Sequence, residues 1–478
     1  MKFVKKTTLF TVLFLVLVCT FASAFNVSSV KAKPGTIYIR ADGSVEPSGT
    51  PISSTDNVTY TLTADIFINN MNDSIVVQRN NIIIDGNDYT LQGSGKGHGF
   101  NLTRITNVTI RNMNIRRFSF GIWLNSSSSF NTISGNNITE NGIGITIRFL
   151  SCNNTISRNN IINQISYGIS LEAAHSNTIS ENNIRNATYS LYAHCSDHNN
   201  ISRNNITGSG KGIALMYWNH YNTITRNYIA HNSEGIYDDY NEYNNAYENN
   251  ITNNTYGYAG WRSAYDRVFH NNFINNTIQF NIGYTNFGIW DDGYPSGGNY
   301  WSNYNGLDED QDGLGDTPIV IDSQNKDNHP LMGPFNKFYA GTWNETAYNV
   351  DIISRSKIAS FNFSPNDHTL TFDVEGENGT TGFCRITIPR VLMWCDDLND
   401  WAIKVGGYLV DRTIIEDGNL TYIYFTYEHS IKTVQIQSTG GVPEFAPLSL
   451  LLLIITITLA TLVLKSKRKN SKVQTHPF

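Results

Sequence analysis

The phrase NTISGNNI, which begins at Asn131, returns as NTISRNNI at Asn154, NTISENNI at Asn177, NNISRNNI at Asn199 and NTITRNYI at Asn222. The Asn-Asn dyads of this series start at Asn136, Asn159, Asn182, Asn204, Asn227 (there followed by Tyr228), Asn249 and Asn271, a period of 22 or 23 residues. A second phrase keeps step: Gly121-Ile122, Gly144-Ile145, Gly168-Ile169, Ser190-Leu191, Gly212-Ile213 and Gly235-Ile236. Between the phrases apolar and polar residues alternate, as in Ile145-Thr146-Ile147, which is the period-two signature of a strand. A fixed period of this length makes the chain a stack of equal coils and leaves few other folds open.

Short strands separated by Asn and Gly corners, with no helical segment between them, predict an all-β fold built on a right-handed parallel β-helix. Each coil is expected to bury its Ile side chains and to stack on the next at about 4.8 Å. The repeated Asn should form an amide ladder along one corner, and Gly should supply a left-handed corner conformation. A leucine-rich repeat has a similar period, but Ile fills the positions where it would need Leu.

The same pattern reaches upstream through Val108-Thr109-Ile110, Asn114-Ile115 and Ile82-Ile83-Ile84-Asp85-Gly86. The β-helix is therefore placed at 76–285, with an N-terminal β cap at 35–75 covering an edge that would otherwise pair with other chains. Residues 286–340 are rich in Asp and Gly and read as a C-terminal cap. Residues 341–438 alternate in short runs, such as Leu370-Thr371-Phe372-Asp373-Val374 and Leu420-Thr421-Tyr422-Ile423-Tyr424-Phe425, and predict a small antiparallel β-sandwich. Composition agrees: charged residues are 15% and aromatics 12%, and there are 61 Asn. This excludes a coiled coil, a collagen and a charge-rich disordered chain. The net charge of −6 provides no basic field for a nucleic acid.

The two ends point to export. Lys2, Lys5 and Lys6 precede an apolar run that closes at Ala22-Ser23-Ala24, a secretory signal peptide over 1–24. An uncleaved N-terminal anchor is the alternative. Residues 446–464 form an apolar span long enough to cross a bilayer as a single C-terminal transmembrane helix. The basic tail at 465–478 is then cytoplasmic and the rest lies outside, at the cell surface. The signal and tail carry eight of the 34 Lys and Arg and no acids, so the exported part has a charge of −6 − 8 = −14. Sequons such as Asn57, Asn101, Asn107, Asn137, Asn250, Asn344 and Asn419 are candidate glycosylation sites.

Two resemblances add to these expectations. Pro443-Glu444-Phe445, an apolar span and a basic end resemble the PEF-CTERM sorting tails of archaeal surface proteins. That would imply processing by an archaeosortase-type enzyme; a plain stop-transfer anchor is the alternative. The segment TIYIRADGS at 36–44, the NTISxNNI coils, and NYWSNYNGLDEDQDGLGDTPIVID with Lys326-Asp327-Asn328-His329-Pro330-Leu331 resemble archaeal NosD-like β-helix surface proteins. The resemblance implies the β-helix fold. On function it points two ways, since the family takes its name from a copper-site maturation factor while many members are surface proteins.

Several residue sets carry candidate chemistry. Asp308, Asp310, Asp312 and Asp316, with Gly313 among them, match the first nine positions of an oxygen-ligand calcium loop. The twelfth position is Ile319 rather than Glu, and an ion-free Asp/Gly turn is the alternative. Cys384 and Cys395 lie outside the cell in this topology, where a disulfide forms readily; two reduced thiols are the alternative.

Seven residues before each dyad runs a column of Ser129, Cys152, His175, Asp197, His220, Glu242 and Ala264. At one coil spacing, His175 with Asp197 and His220 with Glu242 are candidate pairs, and Cys152-His175-Asp197 a candidate relay. A second outward column holds Arg148, Glu172, His194, Met216, Asp239 and Trp261, with Trp123, Tyr192 and Tyr237 two residues earlier in their coils. Acidic, basic and aromatic groups on one face suit a glycan-binding groove. Plain solvated decoration is the alternative, because outward columns must be polar.

The expectation from sequence is a membrane-anchored surface protein that binds envelope or extracellular glycans, adheres, or builds the envelope. A carbohydrate-active enzyme, a polysaccharide lyase or hydrolase, is the second reading. Its candidate catalytic residues are Glu172, His175, Asp197 and Asp239, and its binding residues are Trp123, Arg148, Tyr192, His194, Tyr237 and Trp261. A NosD-like metal-handling role is the third. Copper is not expected, because the six Met and 11 His are scattered and His194-Cys195 with His198 is the only local cluster.

Overall fold

The computed structural model describes residues 35–69, 73–283 and 287–442. The signal segment, the apolar span 446–464 and the basic tail lie outside the described residues, as does the Pro443-Glu444-Phe445 triplet. Among the described residues no helix is long and apolar enough to cross a membrane. The chain divides into two compact units: Met1–Leu307 with Gly315–Leu331, and Asp308–Leu314 with Met332–Phe478.

The first unit is a right-handed parallel β-helix of three sheets, two of twelve strands and one of eleven. One coil gives the plan. Thr132–Ser134 belongs to the second sheet, Asn137–Thr139 to the third and Ile143–Arg148 to the first. Thr155–Ser157 then pairs in parallel with Thr132–Ser134 and begins the next coil. Each strand turns one or two apolar side chains into the lumen. Ile122, Ile145, Ile169, Leu191, Ile213 and Ile236 stand in register in the first sheet and are fully buried or nearly so. Ile133, Ile156, Ile179, Ile201 and Ile224 do the same in the second, and Ile138, Ile161, Ile184, Ile206 and Ile229 in the third. Each such burial contributes about 1.5–3 kcal/mol relative to exposure. At the N-terminal end Val45–Glu46 and Ile52–Ser53 pair antiparallel with their neighbours. Short antiparallel strands therefore close the edges of the first and second sheets.

The corners are amide ladders, and the expected single ladder is one of several. Along one corner Asn136, Asn159, Asn182, Asn204, Asn227, Asn249, Asn271 and Asn299 succeed one another, each within 3.1 Å of the next. Along a second run Asn131, Asn154, Asn177, Asn199, Asn222 and Asn244. Asn232, Asn254 and Asn276 form a shorter third run. Each long ladder ends on an aspartate: the N–H of Asn244 donates to Asp266 Oδ1 at 2.6 Å, and that of Asn299 to Asp327 Oδ2 at 2.8 Å. Buried Asn is tolerable here because its amide is satisfied on both sides.

The expectation for Gly needs correction. The residue just before each dyad is indeed left-handed, but it is Gly only at Gly135; elsewhere it is Arg158, Glu181, Arg203, Arg226, Glu248 or His270, with φ between 54 and 59°. Several of these pair between coils, as Arg158 with Glu181 at 2.7 Å and Arg226 with Glu248 at 2.6 Å. The glycines of the Gly-Ile phrase serve close approach instead. A Cβ on Gly144 would lie 2.5 Å from the carbonyl oxygen of Gly168, and one on Gly168 2.5 Å from that of Ser190.

The second unit holds two five-stranded antiparallel sheets. One has the order Phe335–Trp343, Thr346–Ile353, Thr381–Pro389, Leu420–Glu428, Arg412–Glu416. The other has Lys357–Ser364, Thr369–Glu375, Lys432–Gln437, Ala402–Val405, Tyr408–Leu409. Ile352, Ile386, Ile423, Phe372, Val434 and Ile436 are among the residues of their common core.

Candidate functional site

The long strands of the first sheet present three outward columns. Arg148, Glu172, His194, Met216, Asp239 and Trp261 are partners in consecutive register. So are Trp123, Thr146, Ser170, Tyr192, Ala214, Tyr237 and Ala259. The third column, Phe120, Ile143, Tyr167, Tyr189, Lys211, Glu234 and Tyr256, is the one that sequence patterning did not single out. The structure therefore brings the candidate residues Trp123, Arg148, Glu172, Tyr192, His194, Tyr237, Asp239 and Trp261 onto one face. His175 and Asp197 lie elsewhere, at the corner that follows.

Side chains on this face interlock. Arg148 pairs with Glu172 at 2.7 Å and lies 5.2 Å from the centre of the Trp123 ring. Tyr167, Tyr189 and Tyr192 form a ring cluster with centroids 4.8 to 5.7 Å apart. Lys211 sits 3.7 Å over the Tyr237 ring and is ion-paired with Glu234. Tyr237 also contacts Trp261, and Asp239 is held by Arg262 at 3.1 Å. Beneath these bulky groups Thr146, Ser170, Ala214 and Ala259 are fully covered. Burial, with nearby negative charge, pushes the Tyr192 and Tyr237 hydroxyls up to about 12, so both stay protonated donors.

A pair that sequence patterning missed stands at the N-terminal end of the same face. His98 Nδ1 lies 2.5 Å from Asp73 Oδ1, and Asp73 Oδ2 accepts from Asn101 Nδ2 at 2.7 Å. Burial alone would raise the Asp73 carboxyl. The bonds from His98 and Asn101 outweigh it and hold the group below the usual carboxylate range. In the neutral imidazole the carboxylate fixes the proton on Nδ1, which leaves Nε2 as the basic atom. The ring centre is 4.7 Å from Trp123 and 5.1 Å from Phe120. One signal was available: Gly99-Phe100 is the Gly-apolar phrase one coil before Gly121-Ile122.

The corner column is a backbone-capping device. Cys152 N–H donates to Ser129 Oγ at 3.1 Å, Asp197 N–H to His175 Nδ1 at 3.1 Å and His220 N–H to Asp197 Oδ1 at 2.8 Å. Asp197 lies between two imidazoles, 3.6 Å from His175 Nδ1 and 3.1 Å from His220 Nδ1. His220 thus pairs with Asp197, not with Glu242, to which it is joined only by a backbone bridge. The candidate Cys152-His175-Asp197 relay is not formed among the described residues: His175 Nδ1 accepts the Asp197 backbone proton, and Cys152 meets Ser129 through its N–H. Cys195, next to His194, is 3.8 Å from its Nε2.

In the second unit, carboxylate oxygens of Asp308, Asp310 and Asp312 lie within 4.8 Å of one another. Asp316 is not among them; it belongs to the first unit, where its N–H bonds to the Leu307 carbonyl. Burial and the charges of Asp312 and Asp310 raise the Asp308 carboxyl, against the pull of N–H bonds from Asp312 and Gly313. The expected disulfide is absent: Cys384 and Cys395 are buried free thiols. Cys384 Sγ faces Tyr427 OH at 3.6 Å, while Cys395 Sγ accepts from the Thr439 N–H at 3.4 Å. Cys384 stands in the central strand of its sheet and Cys395 follows the short strand Met393–Trp394, and the two thiols meet different partners.

Residues 149–306 match the family model described as periplasmic copper-binding protein (NosD), and residues 50–206 match that of the right handed beta helix region. No curated protein matches the chain. Similar solved structures include the mannuronan C-5 epimerase AlgE6 A-module of Azotobacter vinelandii, at 15% identity, 54% of this chain, 88% of that chain and a TM-score of 0.33. The Dettilon tailspike protein follows at 11%, 79%, 85% and 0.36. DFA-IIIase from Arthrobacter chlorophenolicus, in complex with DFA-III, stands at 12%, 48%, 60% and 0.31. Likeness of this size does not bear on what the present chain does. The chain is a right-handed parallel β-helix protein whose coils over residues 149–306 are similar in sequence to NosD.

Proposed function

We propose that the protein is a surface-anchored glycan-binding protein whose ligand lies along the outer face of the first sheet. The observation that carries this reading is the register of the three outward columns. Over successive coils they alternate ring clusters (Phe120 with Trp123; Tyr167, Tyr189 and Tyr192; Tyr237 with Trp261) with paired charges (Arg148–Glu172, Lys211–Glu234). Rings and charge pairs at coil spacing offer a linear polysaccharide repeated apolar contact and hydrogen bonding. The signal segment and the apolar span with its basic tail support the surface location. Binding to an array of envelope glycans tests the reading: Trp123→Ala and Tyr192→Ala should each weaken binding at least tenfold. Unchanged binding by both overturns it.

The Asp73–His98 pair favours a second reading, a polysaccharide-active enzyme. A neutral imidazole oriented by a carboxylate, beside a Trp ring, is equipped to move a proton on a sugar stacked there. His98→Gln should abolish product release from an acidic polysaccharide while leaving binding in place. A copper role, to which the description of the NosD match points, finds His194 and Cys195 as the one His–Cys contact among the described residues.

A further inference from the structure

The lumen is apolar for most of its length, and then it is not. At the first-sheet position occupied by Leu124, Ile147, Leu171, Ala193 and Leu215 in successive coils stands Asp238. One coil on, Tyr258 replaces the Ile of the neighbouring inward column. Asp266 takes the place of the ladder Asn. In the second sheet Ala246 follows Ile224. The smaller side chain leaves a cavity of about 10 Å³, lined by Asp238, Asp266, Tyr258, Asn244, Ala246 and aliphatic neighbours. That is room for the centre of about one water molecule.

Three of the four carboxylate oxygens have donors. Asp238 Oδ1 accepts from Asn241 Nδ2 at 2.6 Å, Asp238 Oδ2 from Tyr258 OH at 2.9 Å, and Asp266 Oδ1 from the Asn244 N–H at 2.6 Å. Asp266 Oδ2 is buried and no donor reaches it among the described residues. Asp238 and Asp266 are 2% and 3% exposed. Arg267 lines the cavity only with its stem, because its guanidinium lies against Asp292 and over Phe269. The titratable groups facing the two carboxyls are therefore each other and Tyr258.

Two unneutralised carboxylates inside the lumen would cost far more than this fold can offset. A calcium-type ion needs six to eight oxygens, and the cavity presents one carboxylate oxygen that is not already accepting. A proton needs only the two carboxyls. We infer that Asp238 and Asp266 form a proton-binding site within the β-helix, with one proton held between Asp266 Oδ2 and the Asp238 carboxylate. Burial, and the proximity of Asp238, raise the Asp266 carboxyl well above its ordinary value, as such a pair requires. The site acts as a pH-operated lock on the last coils. Between the carboxyl's ordinary value and its raised one, the unfolded chain releases a proton that the folded chain keeps, so stability falls as pH rises.

The test is thermal unfolding of the full chain between pH 5 and pH 9. Asp266→Asn restores the ladder residue and places an amide donor where the proton sits. It should flatten the fall of Tm with pH by roughly 5 °C over that range. Infrared difference spectra at pH 8 should show a carboxylic-acid carbonyl band in the natural protein that the variant lacks. Asp238→Asn should act alike and serves if the first variant does not fold. The inference is overturned if either folded variant keeps the natural pH slope and the acid band. It is equally overturned if chelator and calcium shift the Tm of the natural protein but not of Asp266→Asn, since the charge would then be a metal ion.

Discussion

Asn159 gives both its backbone N–H and its side-chain amide to a single atom, Oδ1 of Asn182, at 3.0 Å each. The same amide also donates to the carbonyl of Ile133 in the coil before, at 2.8 Å. One side chain thus connects three coils, and the arrangement recurs along the whole corner.

Asn182→Ala should be strongly destabilising. It removes the acceptor for two buried donors of Asn159 and the donor to the carbonyl of Ile156. At about 1–3 kcal/mol for each unsatisfied group, the loss should exceed about 3 kcal/mol. Urea unfolding checks this, with the exposed Asn200→Ala, at ordinary backbone angles, as a control expected within about 0.5 kcal/mol of the natural protein.

Gly144→Ala should also destabilise, somewhat less and through a different cause. The new methyl would meet a backbone carbonyl, not the end of a flexible side chain, and overpacking of this kind costs about 1–3 kcal/mol. Gly35, which has open space around it, should accept Ala with no measurable change in Tm.

Asp327, at the end of the longest ladder, predicts a pH dependence. Burial pushes its carboxyl from 3.8 up to about 7, against N–H bonds from Asn299, Trp301 and His329. The folded chain holds a proton that the unfolded chain has lost, so stability declines as pH rises from about 4 and levels off above about 7. The difference amounts to roughly 4 kcal/mol at about 1.36 kcal/mol per unit. Asp327→Asn should remove this group's share of the decline in Tm with pH and leave the share of Asp266.

The Asp308, Asp310 and Asp312 carboxylates should bind calcium, because the ion offsets the burial, and the neighbouring negative charge, that raise Asp308. Millimolar calcium is expected to raise the Tm of the second unit by several degrees, and Asp310→Asn to abolish the rise. No shift with calcium would reject the site.

Cys384 should be inert. Burial pushes its thiol up to about 12, so a thiol reagent should label neither Cys384 nor Cys395 until the protein is unfolded. Reduction should leave the electrophoretic mobility of the unfolded chain unchanged.

Much of this molecule was legible from its period alone. Once the repeat length is known, residues one coil apart must stack, and the columns of Arg148–Glu172 and Trp123–Tyr192–Tyr237 follow without coordinates. What the period does not encode is direction within a corner. His220 turned to Asp197 instead of Glu242 because backbone N–H groups at that corner need an acceptor from the coil before. Asp73 was invisible because it belongs to the cap, which does not repeat. Asp238 and Asp266 read as ordinary polar residues, since a single inward carboxylate looks in sequence like an outward one. The cysteines were misjudged because eleven residues of separation say nothing about which neighbour each thiol meets, Tyr427 for Cys384 and Thr439 for Cys395.

The amide ladders also have a direction. Along each long ladder an Asn gives its backbone N–H and its amide to the next rung and accepts from the rung before, so a rung fits between any two others and the far end needs an acceptor. Asp266 and Asp327 are such acceptors. Insertion or loss of a whole 22- or 23-residue unit in the middle therefore leaves both ends chemically intact. The length of the rod is free to drift over evolution, while its terminus is not.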